Sequence, residues 1–410
     1  MIRKFGIPAA ILLAFGACPI RAELALTPDA AARMAADRNP ELIAARGLVA
    51  EAEGRARTKG RLPNPELETE VAGGQASEGR VSFGLTQRFP VTARLRIERQ
   101  LSALDVKSAK LEVAEKTLEV ASSARIAFYE YAAACEAVRM ARRQTEAAAT
   151  FADSLRSAVA DGFCSALDVE QAVLVAETGQ VSEESARAGE ALASGRLATA
   201  LGLPADTRFT IGEKFALPGK LPPHRPAGER PDLRRAGNAV DAGAGEVALA
   251  RASTWEDIGA GIFVEGERFR DEPDGIEPEG LVGIRLNIPL PIWQNGSGQV
   301  AEKKAAHGRK TAQLEALRLA VRNQAMTAYR ALGIRYRVAE RMESRLLPSA
   351  RKLAADTEAA YRRGETGMEA LFRARERLAQ AEAAALESLK NYFISHAEWL
   401  GTLGESVTTP

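Results

Sequence analysis

Apolar and polar residues alternate strictly in four short stretches of this chain. Val81, Phe83, Leu85 and Phe89 interleave with Ser82, Gly84, Thr86 and Arg88. Val282, Ile284, Leu286 and Ile288 interleave with Gly283, Arg285 and Asn287. Leu67, Thr69 and Val71 precede the first stretch, and Ile258, Ala260 and Ile262 precede the second. A period of two sends alternate side chains to opposite faces of a strand, so these stretches predict sheet with one apolar and one polar face. A different period rules elsewhere. Leu104, Leu111 and Leu118 recur every seven residues, with Ala114, Ala121 and Phe128 between them, which predicts a closely packed heptad seam. One helix from about residue 91 to 160 would be about 105 Å long. A glycine turn and a return helix over about 166–201 follow. A first helix over about 28–58 starts at an N-cap, Thr27, with Pro28 at its first position. Stacked end to end with the return helix, it supplies a second rod. Rods of this length cannot fold on themselves and must lie against helices of comparable length.

The same order of elements is written twice. Asn39-Pro40-Glu41-Leu42 returns as Arg230-Pro231-Asp232-Leu233, 191 positions later. Gly84-Leu85 through Phe89-Pro90 returns as Gly283-Ile284 through Ile288-Pro289, 199 later. Phe128-Tyr129 is echoed by Ala328-Tyr329, 200 later, while Gly162 and Leu201-Gly202 return as Gly364 and Leu403-Gly404, both 202 later. Ordered landmarks whose offset grows in small steps mark a duplication with loop insertions. The boundaries are a first repeat over 23–204, a linker over 205–227, a second repeat over 228–404 and a tail over 405–410. Pro218, Pro222, Pro223 and Pro226 keep the linker from being helical.

The N-terminus reads as an export signal over 1–22. Arg3 and Lys4 precede an apolar run, Ile7 to Ala14, and Ile20-Arg21-Ala22 offers a cleavage site before Glu23. Cys18 is a lipidation candidate with off-pattern upstream residues, and both readings stand. No other stretch approaches 18 apolar residues. A net charge of +1 over 410 residues gives no reason to expect nucleic acid. Aromatic residues are 5%, too few for an ordinary compact core and in keeping with Ala-, Glu-, Arg- and Leu-rich helices. Cys135 and Cys164, on one helix, would lie about 44 Å apart, beyond disulfide reach. The three histidines are scattered, so no metal site is expected. No nucleophile elbow or phosphate-binding loop is present, so neither catalysis nor a cofactor is expected.

Strands of about 8–11 residues have the length of membrane-spanning strands. Four cannot close, and an open edge in lipid leaves backbone groups unpaired at several kcal/mol each. The smallest usual barrel has about eight strands, so protomers must pool strands, and three protomers would give twelve. The competing reading is a small soluble sheet capping a periplasmic coiled coil.

Taken together, these residues resemble the outer-membrane efflux protein (TolC) family over essentially the whole mature chain. Leu26-Thr27-Pro28 through Leu42, the duplicated strand pairs and the two turns carry the resemblance. The run Ile288-Pro289-Leu290-Pro291-Ile292-Trp293-Gln294-Asn295-Gly296 resembles the heavy-metal, CzcC/CusC-type branch. That branch tends to carry Gly-Gly-Lys-Arg where this chain has Val91-Thr92-Ala93-Arg94. The resemblance implies a mainly α chain with a small β part, assembled as a homotrimer. In that trimer an α-helical barrel hangs below a twelve-stranded transmembrane β-barrel in the outer membrane. It also implies a periplasmic adaptor, an inner-membrane transporter of the resistance–nodulation–division (RND) type, and a passive role in efflux. A periplasmic adaptor or a structural coiled-coil protein is the alternative.

The resemblance places adaptor docking at two turns, Asp161–Val169 and Arg363–Leu371. Gly162, Asp168 and Val169 match the family's Gly followed six residues later by Asp-Val. Gly364 and Leu371 are the second-repeat equivalents, without the acid. The family's aspartate constriction falls on Ala370 and Arg373 here, with Glu369 the nearest acid. Asp168 is read equally as a gate residue and as a helix cap. The segment Glu267–Gly280, with Asp271, Glu272, Asp274, Glu277 and Glu279, is expected to be an exposed loop. Its acids either attract cations leaving a pore or keep the loop solvated.

Overall fold

The computed structural model describes residues 24–73, 79–160, 165–212, 215–271 and 275–404. The export signal with Cys18, the turn residues Asp161–Cys164 with Gly162, part of the 74–80 loop and the tail over 405–410 lie outside the described residues. The chain runs β1 (Leu24–Leu26), α1 (Pro28–Arg38), α2 (Pro40–Thr58), β2 (Glu66–Gly73), β3 (Gly79–Phe89), α3 (Arg94–Ala160), α4 (Ala166–Leu201) and β4 (Phe209–Ile211). The second repeat follows with α5 (Pro231–Ala252), β5 (Ile258–Asp271), β6 (Gly275–Asn287), α6 (Ser297–Arg341), a π-helical turn (Met342–Leu346), α7 (Leu347–Arg362) and α8 (Met368–Leu403).

At 67 residues, α3 is about 100 Å long and is the spine of the molecule. α4 packs along it from one side, and α5 and α8 from others, with α6 and α7 lying against α8. Contacts between the long helices rest largely on alanine. Ala124, Ala132, Ala152, Ala172, Ala198 and Ala397 are all nearly inaccessible. Large residues gather near the middle. Phe128 and Tyr129 of α3, Leu197 and Leu201 of α4, and Leu26, Ala31, Ala35 and Leu42 form one core. Leu332, Tyr336, Tyr392, Trp399 and Leu403 form its second-repeat counterpart. The stacked Tyr129–Phe393 pair, centroids 4.7 Å apart, joins the two.

The duplicated landmarks meet each other in space. Gly202 ends α4 in the left-handed region at φ 67°. A Cβ there would stand 2.7 Å from the Arg38 carbonyl oxygen. The Asn39 side chain donates to the Ala200 carbonyl at 3.2 Å and accepts from the Glu41 amide at 2.8 Å. In the second repeat Gly404, at φ 72°, seats against Arg230, and the Gly228 amide donates to the Leu403 carbonyl at 2.9 Å. Each return helix therefore ends where α2 or α5 begins, and each pair makes a two-piece rod.

Two expectations are corrected. The helix over 28–58 is two helices, because Pro40 holds Asn39 extended (ψ 125°) and Asn39 caps the second. The second long rod is interrupted by the π turn. There the Leu347 amide reaches back to Met342, and Pro348, next in line, has no amide to donate. The linker, read from sequence only as non-helical, carries one short strand: β4 pairs in parallel with β1, Leu24 with Phe209 and Leu26 with Ile211. It is then laced down by tyrosine hydroxyls. Tyr131 donates to the Phe209 carbonyl at 2.9 Å, Tyr336 to Pro218 at 3.2 Å and Tyr329 to Pro222 at 3.1 Å.

His396 stacks on Tyr392 beside Trp399. Burial holds its pKa below the ordinary value; Arg125 and Arg225 add to this, and Asp29 opposes it. The unfolded chain therefore takes up this proton first as pH falls through about 6.5, and the fold loses stability below that point. The unfolding midpoint in detergent is expected to drop between about pH 7 and pH 5, and His396→Gln is expected to flatten that drop. Backbone demands give a second check. Gly202→Ala is expected to lower the midpoint, at a cost of about 1–3 kcal/mol from the left-handed backbone alone. Gly54→Ala, with open space around it in α2, is expected to add about 0.5–1 kcal/mol of stability and so raise the midpoint.

Candidate functional sites at the two ends of the molecule

All four strands belong to one antiparallel sheet in the order β2-β3-β5-β6, so the hairpins of the two repeats pair through β3 and β5. The register sorts chemistry by face. Leu67, Leu85, Ile262 and Ile284 stand in one row across the sheet, and Thr69, Phe83, Val264 and Val282 in the next on the same face. This face is bare: Ile284 is 82% exposed, Val282 76% and Leu67 70%. No described residue covers it, which is the reverse of how a soluble sheet treats its apolar side.

The opposite face is charged. Its rows are Glu66, Thr86, Gly261 and Arg285, then Glu68, Gly84, Phe263 and Gly283, then Glu70, Ser82, Glu265 and Leu281. Arg80 pairs with Glu265 at 2.9 Å and Glu267 at 3.3 Å, and Arg88 with Glu66 at 3.1 Å. Arg285 of β6 pairs with Glu68 of β2, at the opposite edge of the sheet, and lies over the Phe263 ring. Two edge strands can share an ion pair only if the sheet curls with its charged face inward. Close packing on that side shows in Gly283, where a Cβ would stand 2.5 Å from the Phe263 ring. The expected loop Glu267–Gly280 is mostly hairpin. Pairing continues through Glu267 with Glu279 to Asp271 with Gly275, and 272–274 lie outside the described residues. Its charge does not end the ladder, because backbone bonds and not side chains carry it.

The two turns lie at the far end of α3. Ala152 and Leu155 of α3, Ala172 of α4 and Met368 of α8 share one core with Phe151, Val169, Tyr361 and Phe372 packed on it. Arg375 lies over Phe151 at 4.2 Å. The first and second hairpins therefore end side by side. Asp168 is the third residue of a capping box. Its carboxylate accepts from the Ser165 amide at 3.0 Å and the Ser165 hydroxyl at 2.8 Å, while the Ser165 hydroxyl accepts from the Asp168 amide at 3.2 Å. Val169 is half-buried in the shared core. Gly364 has φ 77°, and a Cβ there would meet nothing. Its amide donates to Tyr361 at 2.9 Å and that of Glu365 to Ala360 at 3.0 Å, the hydrogen-bond pattern of a Schellman ending. Arg363 holds Glu365 through two bonds, and the Glu365 carboxyl sits below its ordinary pKa as a result.

Two sequence expectations change at this end. Leu371 has no accessible surface, so it packs inside the hairpin and offers nothing to a docking partner. Glu369 and Arg373 pair with each other one turn apart on an exposed face, so Glu369 is not a lone acid. Sequence reading missed Ser165, whose Ser-x-x-Asp spacing signals a cap, and Arg375. Among the described residues no group of His, Cys, Asp and Glu is placed to hold a metal ion. Among them, no helix is long and apolar enough to cross a membrane, which says nothing of the sheet.

Residues 223–403 match the family model for outer membrane efflux proteins. The fold is that of the outer-membrane efflux channels. CusC is similar with a TM-score of 0.72 at 16% identity, over 92% of each chain. VceC of Vibrio cholerae is similar with a TM-score of 0.70 at 17% identity, over 93% of this chain and 97% of that one. The open-state MtrE channel of Neisseria gonorrhoeae is similar with a TM-score of 0.71 at 17% identity, over 93% and 89%. No curated protein matches this chain by sequence. The channel fold gives the bare apolar face its place at one end and the paired turns theirs at the other. Gly364→Val is expected to cost about 1–3 kcal/mol of stability, because it strains one left-handed turn while touching no packed side chain. The shift in unfolding midpoint, set beside that of Gly202→Ala, checks it.

Proposed function

We propose that this chain is the outer-membrane channel subunit of a tripartite efflux pump, a passive exit duct and not an enzyme. Three protomers would close a twelve-stranded barrel in the outer membrane and hang a helical tunnel into the periplasm. A periplasmic adaptor would dock at the tips, and an inner-membrane RND-type transporter would drive transport. The observation that carries this reading is the four-stranded sheet whose apolar face and two edges are left open by the described residues. Exposed stripes on the helices support the homotrimer. Leu167, Leu174 and Val181 recur every seven residues on α4 and are 63–67% exposed. Leu319 with Met326 on α6, and Leu346 of the π turn with Leu353 of α7, repeat the same spacing. Such stripes are half of a coiled-coil seam and call for a neighbour.

At the tip, Asp168 serves first as a cap, and any part in gating would require that box to open. Gly162, Val169 and Gly364 remain the docking candidates, and Arg373, paired to Glu369, lines no acidic ring. The resemblance of the Ile288–Gly296 run to the heavy-metal branch supports heavy-metal cations as cargo. Fractionation tests the channel: a heat-sensitive trimer in the outer-membrane fraction is expected, and a soluble periplasmic species would end the reading. Sensitivity of a deletion strain tests the cargo. Increased killing by heavy-metal salts with unchanged drug tolerance is expected, and the reverse pattern would reassign the substrate to organic compounds.

A further inference from the structure

The segment that joins the two repeats has a weak hold on the rods. From Phe215 to Arg230 it has neither helix nor strand, and most of it is exposed. Leu217 and Leu221 rest half-buried against the second-repeat core of Tyr336, Tyr392 and Trp399. The Tyr336 and Tyr329 hydroxyls donate to the Pro218 and Pro222 carbonyls at 3.2 and 3.1 Å. A segment with so little buried surface is among the first to open in a folded protein.

A chain of rings joins this segment to a titratable group. The exposed His224 ring stands edge-on to Tyr329, with centroids 4.9 Å apart. Tyr329 lies 5.5 Å from Trp399, and Trp399 lies 6.0 Å from His396. His396 is half-buried on α8, and the charged groups that act on it come from three other elements: Asp29 of α1, Arg125 of α3 and Arg225 of the linker. The neighbouring tyrosines, Tyr392 of α8 with Tyr329 and Tyr336 of α6, bring only hydroxyls.

This surrounding suits a neutral imidazole and not a charged one. Asp29 is already paired with Arg125 at 3.0 Å. An imidazolium at His396 would therefore face two guanidiniums and one shared carboxylate. Trp399 offers it no acceptor, since an indole N–H only donates. One of the two guanidiniums, Arg225, belongs to the weakly held segment. Moving that segment away removes a like charge and lets water reach the ring.

We propose that the linker is an acid-released clasp: a proton on His396 drives residues 217–226 off α6 and α8, while the long helices and the sheet stay formed. The sign follows from linkage. The closed form holds His396 below its ordinary value, through burial first and the two arginines after it, against Asp29. The released form takes the proton more readily, so release is favoured as pH falls through about 6.5. Acid then loosens the waist of the molecule before it unfolds the rods.

Hydrogen exchange of the full chain in detergent, corrected for the pH dependence of the chemical step, tests this. Opening of residues 217–226 is expected to rise several-fold from about pH 7 to about pH 5, and by no more than about tenfold per pH unit, the limit for one proton. Amides of α3 and α4 are not expected to follow. His396→Gln is expected to make linker opening independent of pH. Arg225→Gln is expected to shrink the acid rise and leave α3 and α4 as protected as before. A merely structural role for His396 would instead raise linker opening at neutral pH and keep the acid response. The clasp is overturned by linker opening that does not change with pH, by exchange in α3 and α4 that rises in step with it, or by a response that survives His396→Gln, which would assign the proton to His224. Should His396→Gln fail to fold, the wild-type profile and Arg225→Gln decide, and an undiminished rise in Arg225→Gln rejects the clasp.

Discussion

An unpaired backbone group in lipid costs several kcal/mol, and the rest of this structure follows from avoiding that cost. The sheet leaves its outward apolar rows bare and carries charge on its inward rows. β2 and β6 each have one side with no strand partner among the described residues. A sheet with one face for lipid and two open edges is stable there only as a sector of a closed barrel. Closure by copies of itself is the simplest solution, since the β2 edge of one protomer and the β6 edge of the next are complementary by symmetry.

The helical body obeys the same logic in water. Its rods are too long to form a globule, and their alanine-rich seams allow close approach over about 100 Å. The duplication lets one packing solution serve twice. The Gly202 contact with Arg38 and Asn39 recurs as Gly404 against Arg230, so each two-piece rod is jointed by the same device. The linker, which links unlike ends of the two repeats, is held by tyrosine hydroxyls from both long rods and so acts as a band around the middle of the molecule.

Much of this was legible in the residues because the signals are periodic. Alternation over 66–89 and 256–289 places both hairpins, and the return helix is found at 166–201 as expected. What escaped has no period. β1 and β4 are three residues each and are made by tertiary pairing. The break at Asn39 was present as Asn-Pro, a stop signal that doubles as a repeat landmark. The π turn before Pro348 depends on how a helix absorbs a missing donor, and one proline does not dictate that choice. At the tips, Gly364 was readable as a turn, but the burial of Leu371 and the pairing of Glu369 with Arg373 depend on which face each helix turns inward. The curl of the sheet, seen in Glu68 reaching Arg285, is a property of four strands together.

The central claim is that the two outer strands find their missing partners in other copies of the chain. Hydrogen exchange at individual amides of the membrane-reconstituted protein tests it most directly. If the account is right, amides on the outer edges of Glu66–Gly73 and Gly275–Asn287 exchange as slowly as those of β3 and β5 between them. Edge amides that exchange orders of magnitude faster than the two central strands would mean that the sheet stays open to water, and that the chain builds no barrel.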